Sequence, residues 1–405
     1  MDANVISPAA AGISEEVPEL HAVIVYNSSW YIYNFRANLI RELLARGCRV
    51  STIAPADDYV ARIEELGATH YHWPLSAGGL NPLMEVTSVN LLYRLLRRLH
   101  PDYVLSYTIK CNLYAAMVRR ILGFKQIANV PGLGKAFQGA GPLNICARLM
   151  YRRWLREVET VFFQNNEDLA FCRTSGLVRA ESSIRIPGSG VDLHRFAAAG
   201  RTSLPGPRRF LMIGRLIPEK GFDLLLSAIR QLPDVFRGRI CFQIVGRVEK
   251  RDPRSRALET RLLAAHQEGL IEFIPGTDNI LPYLHGADVA VLPSTYNEGV
   301  PRSLLEALAC GLPIITTAWK GCRDTVIEGI NGELVIPGNS ESLRSAIQRF
   351  AEMPYVSLQH MGKASRRLAE QRFDERQVID EYLFNMGLKQ NSYEDRWETR
   401  IEASI

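Results

Sequence analysis

The sequence predicts an α/β chain built as two doubly wound parallel-sheet domains with a cleft between them. Three observations carry that prediction. Short apolar runs alternate with helical patterns along most of the chain, the sequence form of strand–loop–helix repeats. The alternation lapses over residues 201–209 (RTSLPGPRR), where two prolines stand and no apolar period exists, and then restarts. The chain has 405 residues, 47% of them hydrophobic, which is too long for one small core and too apolar for disorder.

Residues 21–26 (HAVIVY) form the first apolar run, which ends in the polar loop Asn27-Ser28-Ser29. A helical pattern follows, with Phe35, Leu39, Leu43 and Leu44 on one face, and stops at Gly47. Residues 49–54 read as a second strand closed by Pro55, a helix precedes Gly67, and residues 69–75 read as a third strand. A helix over 89–99 leads to strands at 103–107, 127–130 and 160–164. Beyond the linker, strands at 210–213, 240–245, 271–274, 289–292 and 313–316 alternate with helices over 221–232, 256–266 and 303–310. Residues 374–388 close the pattern as a helix. We therefore expect a first Rossmann-like domain over 1–204, a second over 205–372, and a helical tail, 373–405, packing back on the first. Ligands of such sheets sit beyond the carboxyl ends of the strands, so the cleft between the domains is the expected site.

Composition excludes a collagen, a coiled coil, a disulfide miniprotein and a disordered chain. Residues 1–20 carry Asp2, Glu15, Glu16 and Glu19 and no Lys or Arg, the reverse of the basic start of a secretory signal. No uncharged apolar run approaches the ~18 residues of a spanning helix. The best, over 303–319, is interrupted by Glu306, so a soluble or peripheral chain is expected. The seven cysteines are odd in number, widely spaced and lack a CxxC pair, which predicts reduced thiols in a cytosolic setting and no zinc site. No metal-ligand spacing and no Ser-His-Asp or Cys-His arrangement is readable. The net charge of +5 lies wholly in the first half: 22 Lys/Arg against 17 Asp/Glu up to Pro205, then 26 against 26.

The strongest motif is Pro293-Ser-Thr-Tyr-Asn-Glu298-Gly299-Val300-Pro301-Arg302-Ser303-Leu-Leu-Glu306, which follows the buried run at 289–292. Gly299 permits close backbone approach to a ligand. The N–H groups opening the helix near Ser303, with its macrodipole, favour a phosphate. Glu298 and Glu306 are eight positions apart, so both carboxylates share the cleft if the helix reaches back that far. Carboxylates suit sugar hydroxyls because each accepts two hydrogen bonds. Taken singly, Glu298 reads as an N-terminal capping charge and Glu306 as an exposed helix charge; the surrounding motif favours function. In Gly214-Arg215-Leu-Ile-Pro-Glu219-Lys220-Gly221, two cations flank a turn at a strand end, the makings of a diphosphate clamp. Gly246-Arg247 ends another strand, and Thr277-Asp278-Asn279-Ile280 follows the next; both can line a base and ribose. In the first half, Lys110 and Asn112 stand at a strand end, and Gly132-Leu-Gly134-Lys135 can form a turn that approaches a phosphate.

The runs GRLIPEKG, VG and NEGVPRSLLEALACGLPII resemble the retaining glycosyltransferases of family 4, which have the GT-B fold. Over the first half the resemblance is to the bacterial subgroup acting on polyprenyl-diphosphate-linked glycans of capsule, O-antigen or protein glycosylation. It rests there on Tyr31-Ile-Tyr-Asn34-Phe35-Arg36, Tyr107-Thr-Ile-Lys110-Cys111-Asn112, Gly132-Leu-Gly134 with Phe137, Phe162-Phe-Gln-Asn165 and Pro187-Gly-Ser-Gly-Val-Asp192. The chain departs from the family at Asn27-Ser28-Ser29, where many members have a glycine pair, and at Thr108-Ile109-Lys110, where many have a histidine. The resemblance implies that Glu298 contacts the donor sugar, Glu306 holds the ribose, and Arg215 and Lys220 grip the diphosphate.

The expected function is transfer of an N-acetylhexosamine or hexose from a nucleotide diphosphate, UDP foremost, to a lipid-diphosphate-linked glycan. Glu298, Arg215, Lys220 and Lys110 carry the chemistry. Gly214, Gly246, Arg247, Ile280, Gly299, Val300, Ser303 and Glu306 complete the donor site, and Asn27, Ser28, Lys110, Asn112, Gly132 and Gly134 face the acceptor or a phosphate. No cofactor or metal is expected to be required. Residues 90–156 hold 12 basic residues and one acid, Asp102, interleaved with Trp, Tyr and Leu. This suits an anionic membrane surface at the cytoplasmic face better than nucleic acid, since no nucleic-acid motif accompanies the charge. The rival readings are a nucleotide-sugar 2-epimerase of the same fold and a membrane-associated scaffold without catalysis.

Overall fold

The computed structural model describes residues 19–75, 81–137, 141–198, 206–249, 252–297 and 299–390. The first sheet has seven parallel strands in the order β3-β2-β1-β4-β5-β6-β7. The chain lays them down as β1 (His21–Val25), α1 (Ser29–Ala45), β2 (Arg49–Ala54), α2 (Val60–Glu65), β3 (Thr69–His72), α3 (Pro82–Leu99), β4 (Tyr103–Tyr107), α4 (Ile109–Leu122), β5 (Lys125–Val130), α5 (Pro142–Trp154), β6 (Thr160–Phe163), α6 (Asn166–Thr174) and β7 (Ser183–Arg185). The central strands β1 and β4 are buried along their whole length, as strands covered by helices on both faces must be. β3 stops at His72, short of the expected 75, because Trp73 precedes Pro74 and a proline offers no N–H to a ladder. β7, three residues reading SIR, carries no apolar run and gives no signal in the sequence.

The second sheet has six parallel strands, ordered β10-β9-β8-β11-β12-β13. Its elements are β8 (Arg208–Arg215), α7 (Phe222–Arg230), β9 (Ile240–Arg247), α8 (Pro253–Gln267), β10 (Glu272–Pro275), α9 (Leu281–Gly286), β11 (Val289–Leu292), α10 (Arg302–Ala309), β12 (Ile314–Thr317), β13 (Gly332–Val335), α11 (Ser340–Glu352), α12 (Tyr355–Arg372) and α13 (Glu375–Asn385). In each sheet the order reverses at one point, between β1 and β4 and between β8 and β11, and each reversal opens a crevice beyond the strand ends. The two crevices face one another across the domain boundary.

Residues 201–205 of the expected linker lie outside the described residues, and Arg208 and Arg209 already belong to β8. Val191, Leu193 and Phe196 pack in the core of the second domain. The chain crosses back beside them: Val191 pairs with Asp374, and Val191 N–H donates to the Phe373 carbonyl at 2.7 Å. Gly190 is mandatory at this double crossing, since its φ is +68° and a Cβ would stand 2.3 Å from the Glu375 Cα. Beyond it, α13 buries Val378, Tyr382, Leu383 and Met386 in the first domain's core, and Asn129 Nδ2 donates to the Tyr382 hydroxyl at 2.9 Å. Among the described residues no helix is long and apolar enough to cross a membrane. The seven cysteines are free thiols, five of them buried.

Candidate active site

The strand-end motifs of the second domain interlock. Gly214 and Arg215 end β8, and Pro218–Lys220 form a 3-10 turn. The Glu219 carbonyl of that turn accepts from the Thr295 N–H at 2.8 Å, which ties it to the loop after β11. Gly221 lets the two loops meet: its φ is +86° and a Cβ would lie 2.2 Å from the Pro293 oxygen. Lys220 is 6% exposed, with its stem passing over Gly214. Arg215 stands at the rim of the cleft, where its guanidinium lies 3.4 Å from Glu249. Gly246 is fixed by packing, because a Cβ there would meet Leu216 Cδ2 at 2.3 Å. Arg247, next along, donates to Asp278 at 2.9 Å. Ile280 opens α9, and its side chain packs on the second core.

Glu298 lies outside the described residues. α10 begins at Arg302 behind Pro301, so positions 299–301 are not helical and the eight-residue spacing from 298 to Glu306 is not a helical phase. Gly299 does permit a close approach, but to the first domain: a Cβ would stand 2.4 Å from Gln164 Oε1, and its N–H donates to the Pro131 carbonyl. Val300 is buried in the second core, which leaves only its backbone for a ligand. Ser303 sits in the first turn of α10, where no side chain caps the N–H groups and no acid is present. Such an end attracts an anion. Glu306 is buried rather than an exposed helix charge, and Arg302 Nε donates to it at 3.1 Å. Burial pushes its carboxyl above the ordinary value, with Arg302 acting against the rise. Arg302 also donates to the Gly190 carbonyl at 2.6 Å and lies over the Phe35 ring.

The first-domain candidates divide. Ser28 is the N-cap of α1, yet Asp57 serves that helix end: it accepts from Trp30 N–H at 3.0 Å and from Ser28 Oγ at 3.3 Å. The anion place at α1 is thus held by the protein's own carboxylate. Asn27 Oδ1 is buried with no hydrogen-bond partner. Lys110 does not stand open to the cleft as expected; α4 carries it towards α3, where its Nζ lies 2.7 Å from Glu85 Oε1. Asn112 is a second correction. It is fully buried, donates to the Asn129 carbonyl at 2.8 Å, and has no surface to offer an acceptor. Gly132 and Gly134 do form a turn, with φ of 143° and 56°. The Gly134 N–H is taken by the Asn297 carbonyl at 3.0 Å, so the turn meets the other domain.

Sequence reasoning missed the side chains that bridge the cleft. Trp30 lies across it from Arg247, whose guanidinium sits 4.5 Å from the ring centroid. Tyr31 is partly buried beside it; burial raises its phenol, and Arg215 and Arg247 act against the rise. Tyr59 stands near the Arg247–Asp278 pair, and its buried hydroxyl has no hydrogen-bond partner among the described residues. The Trp-Tyr-x-Tyr-x-Phe run at 30–35 is the one signal that could have found the first two: so many aromatics in the first turns of a helix exceed what one buried face needs.

Two family models match this chain in succession. The glycosyl transferase 4-like domain covers residues 34–189, and the glycosyl transferases group 1 domain covers residues 199–368. The chain belongs to these glycosyltransferases. An N,N'-diacetylbacillosaminyl-diphospho-undecaprenol alpha-1,3-N-acetylgalactosaminyltransferase of Campylobacter jejuni is 25% identical over 368 residues, 87% of this chain and 94% of that one. The putative colanic acid biosynthesis glycosyltransferase WcaL of Salmonella typhimurium is 26% identical over 260 residues, 60% and 62% of the two chains. Among solved structures, Alr3699/HepE of Anabaena, in complex with UDP and glucose, matches with a TM-score of 0.75 at 17% identity, covering 91% of this chain and 100% of that one. That likeness gives the glycosyltransferase its GT-B fold, as expected. Enzyme class and fold thus rest on different observations that agree.

Proposed function

We propose that this glycosyltransferase moves an N-acetylhexosamine or hexose from a UDP-linked donor to a lipid-diphosphate-linked glycan, with retention at the anomeric carbon. The observation that carries the reading is that the Lys220 turn, just beyond Arg215 at the end of β8, is tied to the loop that runs from β11 to the uncapped end of α10. Three sources of positive potential there suit a diphosphate leaving group, whose charge develops in the transition state. That charge comes from the protein, so no metal is required by this reading. Glu298 orients the sugar, Glu306 takes ribose hydroxyls, and the leaving phosphate accepts the proton of the acceptor hydroxyl as that hydroxyl attacks from the same face. The Campylobacter jejuni relative, whose name specifies an undecaprenol-diphosphate acceptor, supports the acceptor class, and the Anabaena complex supports UDP.

The acceptor enters over the first domain. There α3, α4 and α5 pack side by side, with Arg97, Arg98, Arg152 and Arg153 exposed and Leu143, Ile145 and Leu149 between 44% and 62% exposed on α5. Cations beside bare aliphatic side chains suit an anionic bilayer surface at the cytoplasmic face. The deciding experiment is a screen of UDP- and GDP-sugars with a synthetic polyprenyl-diphosphate sugar, read by mass. Product one sugar heavier is expected with a UDP donor, while Glu298→Ala and Lys220→Ala lose transfer but stay folded. Near-normal turnover in either variant sinks the site assignment. Sugar interconversion without acceptor would establish the epimerase, and nucleotide-sugar binding without either reaction the scaffold.

A further inference from the structure

One flank of the cleft is joined by charge. Lys320, in the loop after β12, reaches into the first domain and places its Nζ 2.6 Å from Asp168 Oδ1. Asp168 is the third residue of α6 and is 1% exposed. Its other oxygen accepts from the Leu133 N–H at 3.3 Å and from the Asn165 side-chain amide at 3.1 Å. Beside this pair, Arg323 faces Glu167 and Arg185 faces Asp324, each at 3.6 Å. All three pairs run between the domains. The outer two are partly exposed, and pairs of that kind contribute little. Asp168 differs because it is buried: a carboxylate left there without its cation carries a desolvation cost that only hydration relieves.

Asp168 also reaches the donor turn through the backbone. Leu133 lies between Gly132 and Gly134, and this loop grips the second domain on both sides of position 298. Gly134 donates to the Asn297 carbonyl, and Pro131 accepts from the Gly299 N–H. One carboxylate therefore holds a second-domain cation with one oxygen and, with the other, the loop that bonds to Asn297 and Gly299. The Asn165-x-x-Asp168 spacing by itself reads as a helix cap, and Asn165 does cap α6, accepting from the Asp168 N–H at 2.7 Å. The cap leaves both carboxylate oxygens of Asp168 for the work just described.

We propose that Asp168 and Lys320 are positioning residues for sugar transfer, whose ion pair couples closure of the cleft to the seating of the 131–134 loop beside the donor turn. The inference rests on the transfer reading above. It assigns a role in the reaction to two residues placed outside the donor clamp.

The test uses the full chain. Lys320→Met keeps most of the stem and removes the charge; Lys320→Arg keeps the charge. In Lys320→Met, turnover at saturating donor is expected to fall by about tenfold or more, while donor KM moves by less than about threefold, because ground-state binding is spared. Lys320→Arg is expected to recover turnover to within about threefold of the parent. Small-angle scattering with UDP present is expected to find Lys320→Met more extended than the parent chain, with little change in thermal midpoint. Scattering or turnover of Lys320→Met indistinguishable from the parent overturns the coupling, and so does an equal loss in the Met and Arg variants. Scattering is read without acceptor. If the parent transfers no sugar in the donor screen, the transfer reading falls by itself, and the scattering result still decides whether this pair holds the cleft closed.

Discussion

Glu306 shows how one residue's environment sets a testable pH dependence. Burial raises its carboxyl above the ordinary value, against the pull of Arg302. The folded chain therefore holds that proton to higher pH than the unfolded chain does. Its share of stability is full below the ordinary carboxylate value and is lost as pH rises through the raised one. On the proposed ribose role donor binding runs the other way, since the charged carboxylate is the stronger acceptor for hydroxyls. Donor KM is expected to climb as pH falls through the raised value, and the Glu306→Gln enzyme should lose that limb while binding donor more weakly throughout. A KM profile that is flat in the parent over this range would contradict the ribose role. Other single residues had been legible in type but not in purpose. Gly299 reads as room for a ligand, and what fills the room is Gln164 and Pro131 of the other domain. Asn112 reads as a strand-end amide, and one turn of α4 is enough to carry it into the core.

At the scale of elements, the central strands and the helices α1, α3, α7, α8, α10 and α13 were read from their apolar periods, whereas the long helices α11 and α12 were not read at all. Nor were β7 and β13, since three or four residues of mixed polarity hold no period. α13 is the element whose place matters most for stability. It follows the whole second domain in sequence, yet it completes the first domain's core. Leu383 there is 1% exposed. Leu383→Ala is expected to cost about 3 kcal/mol through lost burial and the cavity left behind. Denaturant titration should find the loss in the unfolding of the first domain, not the second. A loss confined to the second domain would mean that α13 does not serve the first core in solution.

At the scale of the whole molecule, the charge division has a spatial counterpart. The basic excess of the first half gathers on α3, α4 and α5, all of them elements of the first domain. Reversing Arg97, Arg98, Arg152 and Arg153 to Glu is expected to abolish sedimentation with liposomes rich in phosphatidylglycerol, while turnover on a short-chain soluble acceptor analogue stays within about threefold of the parent. Undiminished liposome binding would remove the membrane reading without touching the transferase. The first-domain acceptor candidates are the part of the site least legible in advance. Lys110 is paired with Glu85 from α3, and the α1 terminus is occupied by Asp57 from beyond β2. Both partners come from other elements, and sequence spacing holds no record of which elements become neighbours.

By itself the sequence determined the α/β class, the doubling of the domain, and the polar and glycine motifs at the ends of β8, β9 and β11. Each of these depends on local periodicity or on a turn with its cations close in sequence. The tertiary structure alone decided which side chains meet across the cleft: Trp30 on Arg247 and Lys320 on Asp168. Those contacts join residues from 152 to more than 200 positions apart. Their existence depends on how two separately legible sheets come to face each other, which no local pattern encodes.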